Sequence, residues 1–382
     1  MKNVLLIARD AIPSVILCGH AQLSRLAERG VIGYRMVSPL RCAAADLEWA
    51  DVLVFVRADD DVSLALADAA REAGRYTVYV LDDDLLHAPD GLESSAHYAR
   101  AETKELIRSI MARCECFLSP SPVLLEKYGS SFARSARIEE PALAASSPAE
   151  GVEVGPVRIG FAGSVDRAGD IDKLLSGALR RLHERYGDGI AVTFFGARPA
   201  LADEPWAEHI PYKESYDAYR ETMAGFHWDI GLAPMPETPF HRCKHYNKYI
   251  EYAAHGVAGI YSDAEPYRFA VRDGENGLLA ENTEEAWFAA LCRLAEDAPL
   301  RRRLAETARR EAETVYALDA VSDTWERLIA EAAPERRETA GLRSFDRALR
   351  RLRRKWVWRK LRAWGWRAPF LAARKLWRKL FS

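Results

Sequence analysis

The sequence predicts an α/β protein of two domains, each a parallel sheet wound with helices. Three observations predict it. Apolar runs of strand length recur with helical segments between them, a stretch of small residues divides those runs into two series, and 382 residues at 49% hydrophobic content would be oversized for one core but suit two. The first series lies at 3–8, 51–56, 77–81 and 116–118. Such short, nearly unbroken runs are what a strand buried on both faces presents. The divider, 141–156, opens with Pro141 and has no helical apolar spacing. The second series lies at 157–161, 190–195, 229–233 and 257–261. Two Rossmann-like domains are therefore expected, at 1–140 and 157–333, and ligands of such sheets bind beyond the carboxyl ends of the strands.

Composition narrows the setting. The first residues carry one early lysine and a short apolar run that meets charge at Arg9 and Asp10, which describes a first strand and not a signal peptide. No apolar stretch approaches 18 residues, so a cytoplasmic protein without a membrane span is expected. The six cysteines show no paired metal spacing, and Cys114 and Cys116 stand one residue closer than a C-x-x-C redox pair requires. Reduced, structural thiols are expected.

The most informative stretch is 240–281. With Asn247 as the N-cap of a helix, Lys248, Glu251 and His255 fall three and four apart on one face, and Lys244 lies just before the helix start. A helix N-terminus offers unpaired N–H groups and partial positive charge, so two lysines there suit a diphosphate, while a carboxylate nearby can accept from ribose hydroxyls. On spacing alone the lysines can equally be solvated, with Glu251 paired to one of them.

The succession of parts resembles the donor-binding segment of retaining glycosyltransferases of the GT-B fold, the family 4 or group 1 type that includes lipopolysaccharide and capsule transferases. The resemblance rests on Glu251-Tyr252, on 253–257 with its Ala-Ala-x-Gly-Val pattern, on a strand ending at Ser262, and on Asp273 to Leu279; the 229–234 phrase followed by Phe240 and Lys244 is similar to one subgroup. It covers roughly residues 1–333 and implies two Rossmann-like domains facing each other across a cleft. It implies sugar transfer from a nucleotide-sugar donor to an acceptor hydroxyl with retention, with Lys248, Glu251 and Arg167 in catalytic roles and Lys244 and Asn247 binding the donor. No cofactor or divalent metal is implied, since the cations and helix N-termini neutralise the leaving diphosphate.

Further contacts come from strand-end loops. Gly163 permits close backbone approach, and Ser164 and Arg167 can reach phosphate oxygens. Gly196 and Arg198 end the next strand, where the family packs the nucleobase; a plain turn is the alternative. In the first domain Ser14 and the Gly19-His20 pair stand where the family has paired glycines. Asp82, Asp83 and Asp84 place carboxylates at the cleft mouth, with Asp83 expected to orient the acceptor hydroxyl. A metal is the weaker reading there, because alternate residues of an extended segment point apart. His87 reads as a loop histidine. One departure concerns Cys243, which replaces the family's early glutamate near the transferred sugar. A non-catalytic nucleotide-sugar or partner-binding protein, and a sugar-nucleotide epimerase, therefore stay as alternatives.

Residues 342–382 differ from all the rest. They hold 15 of the 54 basic residues, five of the ten tryptophans and one acid, Asp346, a net charge of +14 that leaves −16 for the remainder. Phe345, Leu349, Leu352 and Trp356 recur at four, three and four, which predicts a basic amphipathic helical tail lying on an anionic membrane. Docking on an acidic protein surface is the second reading and nucleic acid the third; no nucleic-acid partner is expected. With the resemblance, the expectation is a peripheral protein on the inner face of the cell membrane, acting on a glycan or lipid-linked acceptor.

Overall fold

The computed structural model of the protein describes residues 1–89, 95–144, 155–335, 345–346 and 349–355. Its first sheet holds β1 (Lys2–Ile7), β2 (Ile32–Val37), β3 (Val52–Val56), β4 (Tyr76–Val80), β5 (Cys116–Ser119) and β6 (Arg134–Arg137). All are parallel, in the order β2-β1-β3-β4-β5-β6. The connections carry α1 (Pro13–Val15), α2 (Ala21–Glu28), α3 (Ala44–Trp49), α4 (Asp61–Glu72), α5 (Ala101–Met111) and α6 (Pro122–Tyr128). Alternate residues serve opposite faces. Val4 and Leu6 join Val52, Val54, Val78 and Val80 on one side; Leu5 and Ile7 join Leu53, Phe55 and Tyr79 on the other.

The second sheet holds β7 (Val157–Gly163), β8 (Ile190–Gly196), β9 (Ala207–Pro211), β10 (Ile230–Ala233), β11 (Ala258–Ser262) and β12 (Leu278–Ala280). It too is parallel, in the order β12-β11-β10-β7-β8-β9. Its helices are α7 (Ala168–Leu174), α8 (Ser176–Tyr186), α9 (Tyr216–Ala224), α10 (Pro239–Arg242), α11 (Asn247–Ala254), α12 (Glu284–Glu296) and α13 (Ala298–Thr314). All eight expected strands are present, and the two sheets divide as the sequence predicts. The four strands not anticipated, β2, β6, β9 and β12, are the sheet edges.

After the second domain the chain returns to the first. The last helix, α14 (Leu318–Glu331), follows the second domain in the chain but packs on the first. Its apolar stripe, Val321, Trp325 and Ile329, needs cover, and Trp325 and Ile329 find it in the core beside Val4 and Leu6. Arg25 pairs with Asp319 at 2.6 Å, Arg29 pairs with Asp323 at 2.7 Å, and Lys2 Nζ donates to the Ile329 and Ala330 carbonyls at 2.8 Å, where a cation suits a helix C-terminus. The second domain's own helices therefore end at Thr314 and not at 333.

The tail begins on the first domain. Leu349 is fully buried in the first domain's core, with Phe345 and Leu352 packed on the same cluster. Asp346 accepts from the Ala44 amide at 3.2 Å, at the N-terminus of α3, and Arg353 donates to the Cys42 carbonyl. The opening of the expected lipid-facing stripe thus serves the protein's own core, because α3 and the strand ends leave apolar surface there for it. Trp356 and the rest of 356–382 lie outside the described residues. Among the described residues no helix is long and apolar enough to cross a membrane, and all six cysteines are free and buried.

Candidate functional site

The carboxyl ends of strands from both sheets border a cleft of about 810 Å³. That lies within the range of small-molecule sites, roughly 300–1,000 Å³. The chain leaves β10 at Ala233, turns through 234–246, and enters α11 at the cleft. Close packing sets the helix orientation. Tyr252 donates its hydroxyl to the Leu232 carbonyl at 2.7 Å. A Cβ on Gly231 would stand 2.7 Å from the same ring, so only glycine lets the helix lie this near the strand. With Tyr249, Ile250, Tyr252 and Ala253 buried, the opposite face presents Lys248 and Glu251 to the cleft.

The ion pair that spacing allowed is present at the cleft. Lys248 and Glu251 line the cleft together, and they form an ion pair with each other; Lys248 Nζ also donates to the Tyr219 hydroxyl at 2.9 Å. His255 Nδ1 lies 2.8 Å from the Glu251 carbonyl oxygen. Asn247 lines the cleft but does not cap the helix: it is the first helical residue, Tyr246 holds the cap position, and the Asn247 Oδ1 meets His245 Nδ1 at 2.5 Å.

The diphosphate candidates converge beside α11. Arg167 donates to the Pro234 carbonyl and pairs with Asp170 at 3.2 Å, and Gly163 and Ser164 line the cleft with it. Lys244 pairs with Asp83 of the first domain at 2.9 Å. The local potential is positive enough to register on a neighbour: burial, then Arg167 and Lys244, push His241 down to about 4. Burial would raise the Asp83 carboxyl, but Lys244 and then Arg57 hold it down at about 2. An anion entering here meets cations that are each already paired with an acid: Arg167 with Asp170, Lys244 with Asp83 and Lys248 with Glu251.

Other candidates stand elsewhere. Gly196, at φ +88°, lets β8 end against β7; a Cβ there would reach the Gly163 carbonyl oxygen at 2.1 Å. Arg198 turns away to Asp203 and to His209 at 3.2 Å. Neither borders the cleft. Ser14 does border it and accepts from Arg57 at 2.9 Å. Gly19 instead packs against Leu6 and Trp325, and His20 Nδ1 lies 2.7 Å from the Tyr34 hydroxyl. The three acids are each taken by cations: Asp82 by Arg57 at 3.0 Å, Asp83 by Arg57 and Lys244, and Asp84 by Lys127 at 2.6 Å, with His87 at 3.1 Å. Cys243 is 3% exposed and packs in the first domain's core, away from the cleft.

Sequence reasoning missed Tyr212, Tyr216, Tyr219, Glu140 and His245, all of which line the cleft. The tyrosines recur at four and three across the start of α9, an aromatic stripe that spacing alone can reveal. Tyr219 stacks on Phe195 with centroids 4.9 Å apart, giving the cleft an aromatic wall beside Lys248.

The fold recurs among solved structures. HepE from Anabaena, in complex with UDP and glucose, aligns with a TM-score of 0.59 at 11% identity, covering 87% of this chain and 100% of that one. Sucrose-phosphate synthase from Thermosynechococcus elongatus gives 0.60 at 12% identity, covering 87% and 99%. A glycosyltransferase from Rickettsia africae gives 0.55 at 9% identity, covering 87% and 99%. At such identities the likeness is one of fold, and the fold is GT-B: two Rossmann-like domains joined across a cleft. No family model matches the chain, and no curated protein does.

Proposed function

We propose that this protein is a glycosyltransferase that moves a sugar from a nucleotide-sugar donor to an acceptor hydroxyl with retention of configuration, in the assembly of a cell-envelope polysaccharide or glycolipid. One observation carries the reading. Lys248 and Glu251 on one face of α11, with Lys244 and Arg167 beside its start, stand together in a cleft walled by both domains. The GT-B fold supports it, and HepE holds UDP and glucose on that fold.

In this account Glu251 accepts from the ribose hydroxyls once Lys248 leaves it for a phosphate oxygen. Lys244, Lys248, Arg167 and the first amides of α11 then stabilise the charge that develops on the departing β-phosphate. This arrangement does the electrostatic work without a divalent ion. The departing phosphate oxygen takes the proton of the attacking hydroxyl as the sugar bond to it forms. Cys243 packs away from the cleft and takes no part in these steps. The acceptor is a glycan or lipid-linked glycan, and 356–382, rooted on the first domain through Leu349, holds the protein to the inner face of the membrane.

The test is transfer from a panel of UDP-, GDP-, ADP- and dTDP-sugars to lipid-linked acceptors, with the anomeric configuration of the product read by NMR. A retained configuration and loss of turnover in Lys248→Ala are expected. Product formed without any acceptor would replace the reading with an epimerase, and no product with any donor would replace it with a binding protein. For the tail, full-length protein should sediment with anionic liposomes at low salt and protein truncated after Glu338 should not; equal sedimentation overturns the membrane role.

A further inference from the structure

We propose that Asp83 gates the diphosphate subsite: Asp83 and the donor's diphosphate compete for Lys244, so donor binding frees the Asp83 carboxylate to take the acceptor hydroxyl. The inference rests on the donor site described above. It goes beyond it by coupling the two substrates through one ion pair across the cleft.

Four features of the structure carry it. Lys244 belongs to the second domain and Asp83 to the first, and their Nζ to Oδ1 distance is 2.9 Å. Both side chains border the cleft and are about one-quarter exposed, 25% and 22%, so water and a ligand reach the pair. Such a pair contributes little net stability and is readily exchanged, whereas a diphosphate offers a cation more charge and several acceptor oxygens.

The turn that carries Lys244 is fixed. Its neighbour Cys243 is packed in the first domain's core, with Sγ 3.3 Å from the Pro239 carbonyl oxygen and 3.9 Å from Asp84 Oδ2. The exchange is therefore a swing of the Lys244 side chain, whose ammonium lies 4.8 Å from the centre of the Phe240 ring and can slide over that face.

Asp83 does not follow it. Arg57 holds Asp83 Oδ2 at 3.4 Å while its NH1 also takes Asp82 at 3.0 and 3.1 Å and Ser14 at 2.9 Å. Departure of Lys244 leaves Oδ1 of a carboxylate still anchored through Oδ2, aimed at the cleft and lacking a donor. An acceptor hydroxyl supplies one. The acceptor subsite is thus completed only after the donor has bound, which favours donor first.

Calorimetric titration of the full chain with UDP, GDP, ADP and dTDP tests this, using Asp83→Asn, Lys244→Met and the double variant, with Asp83→Ser as a second replacement should the amide disturb folding. Asp83→Asn should bind the diphosphate that the unaltered protein binds about tenfold more tightly, the free-energy equivalent of one charge-assisted hydrogen bond. It should bind the matching nucleoside without change and turn over more slowly. General damage to the cleft would move binding and turnover the same way. In the Lys244→Met background Asp83→Asn should no longer tighten binding. Equal or weaker binding by Asp83→Asn and Asp83→Ser, or tightening that survives loss of Lys244, overturns the gate while leaving the donor site standing. No diphosphate binding by the unaltered protein overturns both.

Discussion

Replacing His245 with glutamine should remove a pH dependence of stability that arises where the two domains meet. The His245 side chain is 1% exposed; its Nε2 lies 3.5 Å from Glu139 and its Nδ1 3.7 Å from Glu140, both at the end of the first domain. Burial disfavours the imidazolium, but Glu140 and Glu139 outweigh burial and push the pKa up to about 9. In the unfolded chain it is about 6.5. A folded value above the unfolded one means that the stabilisation is fully present below pH 6.5 and is lost as pH rises through 9. At 1.36 kcal/mol for each pH unit of separation, the gap corresponds to about 3 kcal/mol. Thermal and denaturant unfolding of the unaltered protein and His245→Gln at pH 6 and pH 9.5 checks this. The glutamine variant leaves Glu140 without its cation at every pH, so the informative quantity is the change in the stability difference between the two pH values. That difference should shrink by about 3 kcal/mol on going to high pH. A difference that is the same at both values would refute the assignment of a charged His245 to this junction.

Three further outcomes are expected. A methyl group on Gly160 would stand 1.9 Å from the Trp228 ring, which is 5% exposed and stacked on Phe226, so Gly160→Ala should lower the second domain's stability by at least the overpacking cost of about 1–3 kcal/mol in denaturant titration. Leu349→Ala should destabilise the first domain by about 2–5 kcal/mol, as a large buried side chain does, whereas a lipid-facing leucine would show no such loss in the absence of membrane. Glu251→Gln frees Lys248 from its ion pair and should tighten inorganic pyrophosphate binding, while nucleoside diphosphate binding should weaken relative to pyrophosphate by about tenfold or more in calorimetry, since the charge that strengthens hydrogen bonds from the ribose hydroxyls is gone.

How much of this was legible in the sequence depended on burial. The eight strands anticipated from apolar runs are interior or nearly so, with both faces covered. The four that escaped notice are the sheet edges, where β2, β6 and β9 are only partly buried and β12 has three residues. Periodicity located the stripes of α14 and of the tail but not their cover: Trp325 and Leu349 meet the first domain through contacts more than 300 residues distant in sequence. The cleft face of Lys248 and Glu251 was readable because both lie on one helix. Arg198 was not, because its direction depends on the turn at Gly196 and on Asp203. His245 and Glu140 were hidden for the same reason, since their meeting joins residues 105 apart and leaves no local pattern.

The claim at the centre of this account is that the face of α11 bearing Lys248 and Glu251 binds a nucleoside diphosphate. Its most direct test is the unfolding midpoint of the full chain titrated with UDP, GDP, ADP and dTDP, beside Lys248→Ala. Ligand at about 100 times its dissociation constant adds roughly 2.7 kcal/mol, so one nucleotide should raise the midpoint of the unaltered protein by a few degrees and that of Lys248→Ala far less. No response to any nucleotide, or an equal response in Lys248→Ala, would contradict it.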